Sequence, residues 1–109
     1  MKYTIADILH LAADKYLAVN YDDYNNYQHK RMFSCCAIET AVEELYGWKE
    51  CFKDDGVLDI IKEGLTNMGL NCNSFHAFKP WHSRDSAPMQ QSRYAWLKFA
   101  ALMAEEQGV

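Results

Sequence analysis

The chain holds no C-x-x-C pair, no H-E-x-x-H, no G-x-S-x-G and no glycine-rich phosphate loop. Those absences remove the compact signatures of zinc fingers, zincins, serine hydrolases and P-loop nucleotide sites. Only five glycines are present, and Gly47, Gly56 and Gly69 each sit where a turn is expected, which leaves no cluster of them for a phosphate cradle. Long apolar runs are missing too. The longest nearly uninterrupted one, Tyr94 to Ala104, contains Lys98 and spans eleven residues, about half of what a bilayer crossing needs, so no membrane association is expected. The opening MKYTIADIL lacks the basic-then-apolar layout of a secretory leader. The four cysteines are Cys35, Cys36, Cys51 and Cys72. They are therefore expected as reduced thiols in a cytoplasmic setting rather than as two disulfides, and the adjacent Cys35 and Cys36 cannot easily bond each other.

What is present fits one globular domain over residues 1–109. Half the residues are apolar and a quarter are charged, enough to bury a core without metal or disulfide staples. Aromatics reach 14%, more than one small core needs. The net charge of −4 is unevenly spread. Eight acids lie between Glu39 and Glu63 against Lys49, Lys53 and Lys62, whereas residues 71–98 carry Asp85 against Lys79, Arg84, Arg93 and Lys98. An acidic middle is followed by a mildly basic segment, and the overall sign disfavours nonspecific binding to a phosphate backbone.

Periodicity predicts an all-α fold, a compact bundle of four main helices with an irregular, aromatic-rich segment before the last. The first helix begins at Thr4, whose hydroxyl caps the first turn while Asp7 stands in the reciprocal capping-box position, and it ends near Val19. Ile5, Ile8, Leu9 and Ala12 fall on one face. Asn20 to Gln28 (NYDDYNNYQ) reads as loop. A second helix spans His29 to Tyr46 with Ile38, Val42 and Leu45 on its stripe, and Gly47 ends it in the left-handed conformation. Trp48, Cys51 and Phe52 continue as a short helical turn before Asp54-Asp55-Gly56. Leu58, Ile61, Leu65 and Met68 define a third helix stopped by Gly69, with Leu70 folded back on it. Residues 70–78 could form a short strand within the irregular stretch 71–85. A fourth helix opens at Ser86 and Pro88, and Trp96, Leu97, Phe99, Ala100, Ala101, Leu102, Met103 and Ala104 make it apolar nearly all round. Such a helix is expected to be enclosed or to sit at a subunit contact.

Several chemistries can be set against these residues. Cys72, His76 and His82 form C-x3-H-x5-H, a donor set that suits zinc but lacks a fourth ligand at close spacing; one buried cysteine and two surface or capping histidines is the reading preferred, and no zinc is expected. Glu39 and Glu43 share a helical face, yet no Glu-x-x-His step occurs, so a di-iron site is not expected. Cys35 or Cys36 could pair with a histidine as a nucleophile, but a cysteine on a helical stripe more often packs as a small hydrophobe. No catalytic residue, metal or cofactor is assigned.

Binding is the remaining chemistry. Tyr21, Tyr24 and Tyr27, spaced three apart, supply contact area at low entropic cost. With Glu43, Glu44, Asp54, Asp55, Phe78 and Trp81 they have the makings of a protein contact, aromatic anchors with a charged rim. The alternative is single-strand nucleic-acid binding through the aromatic and basic segment 75–98, using Lys79, Trp81, Arg84 and Arg93. Phe99 and Leu102 point away from Leu97 and Ala101, which marks them for self-association as a homodimer.

The chain's size, the segment RMFSCCAIE (Arg31 to Glu39) and the ending RYAWLKFAALMAEE (Arg93 to Glu106) resemble small uncharacterised accessory proteins of tailed phages and prophages. The resemblance implies a non-enzymatic protein in the host cytoplasm that inhibits or regulates a larger host protein complex. Anti-CRISPR and other anti-defence inhibitors are the prominent class. Such proteins share no functional residue set, so none is carried over, and a charge of only −4 argues against simple DNA mimicry.

Overall fold

A computed structural model describes residues 1–18, 37–70 and 87–109, with only the backbone described for 15–18 and 87–90. Its regular structure is all-α: α1 (Ile5–Ala18), α2 (Ala37–Tyr46), a 3-10 helix (Trp48–Phe52), α3 (Val57–Asn67) and α4 (Ala87–Gln107), with no strand among the described residues. The expected loop at 20–28, the first part of the expected second helix at 29–36, and the irregular aromatic segment at 71–85 lie outside the described residues.

The capping box at Thr4 is formed in both directions. The Asp7 N–H donates to Thr4 Oγ1 at 3.0 Å, and the Thr4 N–H donates to Asp7 Oδ2 at 3.2 Å, so two otherwise orphaned donors at the start of α1 are satisfied. Beyond that cap, Ile8, Leu9, Ala12 and Ala13 are wholly buried. They face α4, the principal contact of α1, where Leu97, Ala100, Ala101 and Ala104 are wholly buried in turn. Small residues on both sides let the helix axes approach closely. Ile38, Ala41 and Val42 bring α2 against the second side of α1, and Leu58, Ile61, Leu65 and Met68 complete the core from α3, as their spacing predicts.

Outside this core a polar string ties α1 to α4. The Lys98 ammonium donates to His10 Nδ1 at 3.1 Å and lies 3.4 Å from Asp14, while His10 Nε2 meets Glu105 Oε1 at 2.6 Å. An ammonium can only donate, so Nδ1 accepts and the ring proton sits on Nε2, facing the carboxylate.

Two expectations about helix ends are refined. Gly47 does take a positive φ, but at φ 93° and ψ 159° it occupies the extended glycine-only region rather than the left-handed helical one. The chain therefore leaves α2 abruptly instead of curling over its end. At the far end of α3 the expected stop is present: the Leu70 N–H donates to the Leu65 carbonyl at 2.9 Å, folding the chain back at Gly69.

Of the two arrangements expected for the last helix, enclosure on all sides by its own chain is not the one seen. Phe99 and Leu102 remain 55% and 57% exposed. The reason is helical phase: 97, 100, 101 and 104 take the core face, and 99 and 102 stand opposite them.

Candidate functional site

Between α2 and α3 the chain makes a knuckle that exposes aromatic rings and charge, Lys49 and Lys53 within it and acids before and after it. After the break at Gly47, the Glu50 N–H donates to the Gly47 carbonyl at 3.3 Å and starts the 3-10 helix. This short element places Trp48 and Phe52 side by side, ring centroids 5.9 Å apart and planes at 77°, an edge-to-face pair. Both rings are 56% exposed. Lys49 extends over the Trp48 face at 5.9 Å, so that face already holds a cation. On the inner side, Cys51 is half-buried and its thiol donates to the Glu39 carbonyl at 3.7 Å, anchoring the turn to α2.

The knuckle is held rigid at both ends. At the α2 end the Tyr3 N–H donates to Tyr46 Oη at 3.1 Å and the two rings meet edge-to-face at 5.5 Å. At the α3 end Gly56 has no side chain with which to cap the helix, and Glu50 substitutes for it. The Val57 N–H donates to Glu50 Oε1 at 3.2 Å, while Lys53 Nζ sits 3.0 Å from Oε2. A carboxylate at the positive end of a helix is favoured by both hydrogen bonding and the helix dipole. The Lys53 hydrogen bond holds the Glu50 carboxyl below its ordinary range, against the opposing effect of desolvation and with the Val57 N–H adding to the lowering. The approach is so close that a Cβ on residue 56 would lie 2.8 Å from Lys53 Cβ and 3.2 Å from Glu50 Oε1, so glycine is required there.

Acids border the rings. Glu43 and Glu44 end α2, Glu44 exposed and Glu43 half-buried, and Asp54 and Asp55 form the exposed turn that follows. Asp55 takes φ 57°, which aspartate tolerates, and its N–H is held by Asp59 Oδ2 at 2.8 Å. Four of the sequence-selected partner residues, Glu43, Glu44, Asp54 and Asp55, therefore flank the knuckle along the chain, two before it and two after it. Tyr21, Tyr24, Tyr27, Phe78, Lys79, Trp81 and Arg84 lie outside the described residues, as do Cys35, Cys36, Cys72, His76 and His82.

Arg93, selected for strand binding, is 1% exposed. Its helical position puts it on the core face of α4, with Leu97 and Ala100, so it does not offer its guanidinium at the surface. Sequence reasoning passed over Trp48 and Phe52. The available signal was their four-residue spacing inside an element too short to have an apolar stripe of its own.

No group of three or more histidine, cysteine, aspartate or glutamate side chains among the described residues could hold a metal ion. No helix among them is long and apolar enough to cross a membrane. No family model, curated protein or solved structure matches the chain.

Proposed function

We propose that the chain is a small non-enzymatic binding protein that inhibits or regulates a larger host protein complex, in the manner of phage anti-CRISPR and other anti-defence proteins, and that the Trp48–Phe52 knuckle is its contact surface. One observation carries this reading: among the described residues no aromatic side chain lies in the buried core, and two of the most exposed stand together as a rigid pair bordered by acids. Rings held in place by the backbone lose little entropy on binding, and tryptophan is over-represented where interfaces concentrate their energy. The acidic border selects a basic partner surface, such as a groove that otherwise receives nucleic acid, and covering that groove blocks it sterically. The setting is the host cytoplasm.

The test uses a tagged chain in bacterial lysate, followed by affinity measurement with the purified partner. Wild type captures one stoichiometric complex. Trp48→Ala with Phe52→Ala weakens binding by about 30-fold or more, and reversing Glu43, Glu44 and Asp55 to lysine weakens it further. The ring pair shifts the melting temperature by no more than a few degrees, because neither ring is in the core, whereas the charge-reversal set also gives up aspartate's tolerance of positive φ at residue 55 and is compared at matched folded fraction. The same purified chain is titrated with a labelled single-stranded oligonucleotide at physiological salt. Tight, salt-sensitive binding there replaces this proposal with the nucleic-acid one.

A further inference from the structure

Among the exposed positions of α4, Ser92, Ala95, Phe99, Leu102 and Glu106 form one line spaced alternately three and four residues apart, with Gln91, Glu105 and Gln107 exposed to either side of it. That is the spacing of a coiled-coil seam, a line of side chains that stays in contact with one neighbouring helix. The seam lies opposite the core face of Leu97, Ala100, Ala101 and Ala104. It carries no charge from Ser92 to Leu102, unlike the knuckle, so it does not select a partner of opposite sign. We propose that this seam binds a second copy of the chain, α4 against α4 in antiparallel orientation about a two-fold axis.

The borders of the seam decide both the occupant and the direction. Trp96 and Met103, partly buried, flank it on one side; Lys98 and Glu105 flank it on the other. When two copies run antiparallel with Phe99 of each against Leu102 of the other, Lys98 of one copy reaches the level of Glu105 of the other. Trp96 likewise reaches the level of Met103, a favourable sulfur–aromatic pairing. Each match occurs twice by symmetry, so the surface is complementary to itself. A parallel arrangement sets Glu106 beside its own counterpart and turns the Lys98–Glu105 border of each copy against the Trp96–Met103 border of the other, so neither match forms. From Ser92 to Glu106 the seam runs about 21 Å. A helix pair of that length covers roughly half of the ~800 Å² per partner found in stable interfaces. The dimer is therefore weak and concentration-dependent.

Sedimentation equilibrium of the full chain from about 5 µM to about 500 µM tests this. The expected result is a weight-average mass that rises from 12.6 kDa towards twice that value. Phe99→Glu holds it at the monomer mass across the range with an unchanged circular dichroism spectrum. Leu102→Ala, which introduces no charge, weakens association by about fivefold or more and gives the readout if the glutamate variant is unfolded. Glu105→Lys sets lysine against lysine in both symmetric matches along that border and weakens association most at low salt, and adding Lys98→Glu restores it. A strictly monomeric wild type overturns the proposal, as does a dimer indifferent to Phe99→Glu and Leu102→Ala. Association tightened by Glu105→Lys overturns the antiparallel direction. Since none of these residues lies in the knuckle, failure here leaves the partner-binding test intact.

Discussion

Replacing Gly47 with alanine separates backbone strain from packing. At φ 93° and ψ 159° the residue lies where an L side chain collides with its own flanking peptides. A Cβ built there meets nothing within 4 Å, so neighbouring side chains neither add to the cost nor offset it. Holding alanine in that region costs roughly 1–3 kcal/mol, while its stiffer unfolded chain returns roughly 0.4–1 kcal/mol. The net loss is then about 1–2 kcal/mol. In a helical domain of this size that corresponds to a melting temperature lower by about 5–15 °C. Thermal and urea unfolding followed by far-ultraviolet circular dichroism measure it, with an unchanged urea m-value, because the surface exposed on unfolding stays the same. An alanine variant as stable as wild type would refute the reasoning, since it would mean that the chain does not leave α2 through this backbone conformation. A loss confined to partner binding would mean that the strain is relieved locally by moving Trp48.

Two further outcomes follow from the capping groups. Thr4→Ala removes the acceptor for the Asp7 N–H and lowers stability by about 1 kcal/mol, measured as a shift in the urea midpoint. For Glu50, the folded carboxyl is lowered relative to the unfolded one. Its contribution is therefore fully present above the unfolded value and is lost as pH falls through the lowered folded value. Wild-type stability thus declines on acidification partly through this group, and Glu50→Gln flattens that part of the stability–pH curve; an identical acid limb in the two proteins would remove Glu50 from the account.

Much of this fold was legible in the sequence because its helices obey local rules. The Thr4–Asp7 box, the α3 stripe and the stop at Gly69 each depend on residues within one or two turns of one another, and each formed as read. The phase of α4 was also legible, which is why Phe99 and Leu102 could be singled out. Its enclosure was not, since whether neighbouring helices cover a face is a tertiary question with no local signal. Arg93 shows the same limit: an arginine among aromatics reads as a surface cation until the core face of the helix is fixed. Trp48 and Phe52 were legible as a short helical turn but not as an exposed pair, because a five-residue element has no stripe that tells an inner face from an outer one. Only the glycine-only backbone at residue 47, and the Glu50 brace that orients the next helix, turn those rings outward.

The composition of the core explains what those outward rings imply. Alanine at 12, 13, 100, 101 and 104 fills the contact between α1 and α4, and Ile8, Leu9, Ile38, Ile61, Leu65 and Leu97 supply its volume. Alanine loses no side-chain entropy in a helix and permits close axes, and among the described residues the rings that touch this interior, Tyr3, Tyr46, Tyr94 and Trp96, pack against its edge and stay partly exposed. Trp48, Phe52, Phe99 and Leu102 are then surplus to folding, and exposed apolar surface is an aggregation hazard unless something covers it. The two exposed pairs differ in their surroundings. One stands on a rigid turn with acids on both sides; the other stands on a seam uncharged from Ser92 to Leu102, whose flanks match their own two-fold copies. A single partner cannot satisfy both descriptions. The assignment of a basic foreign surface to the knuckle and a second copy to the seam follows from that difference.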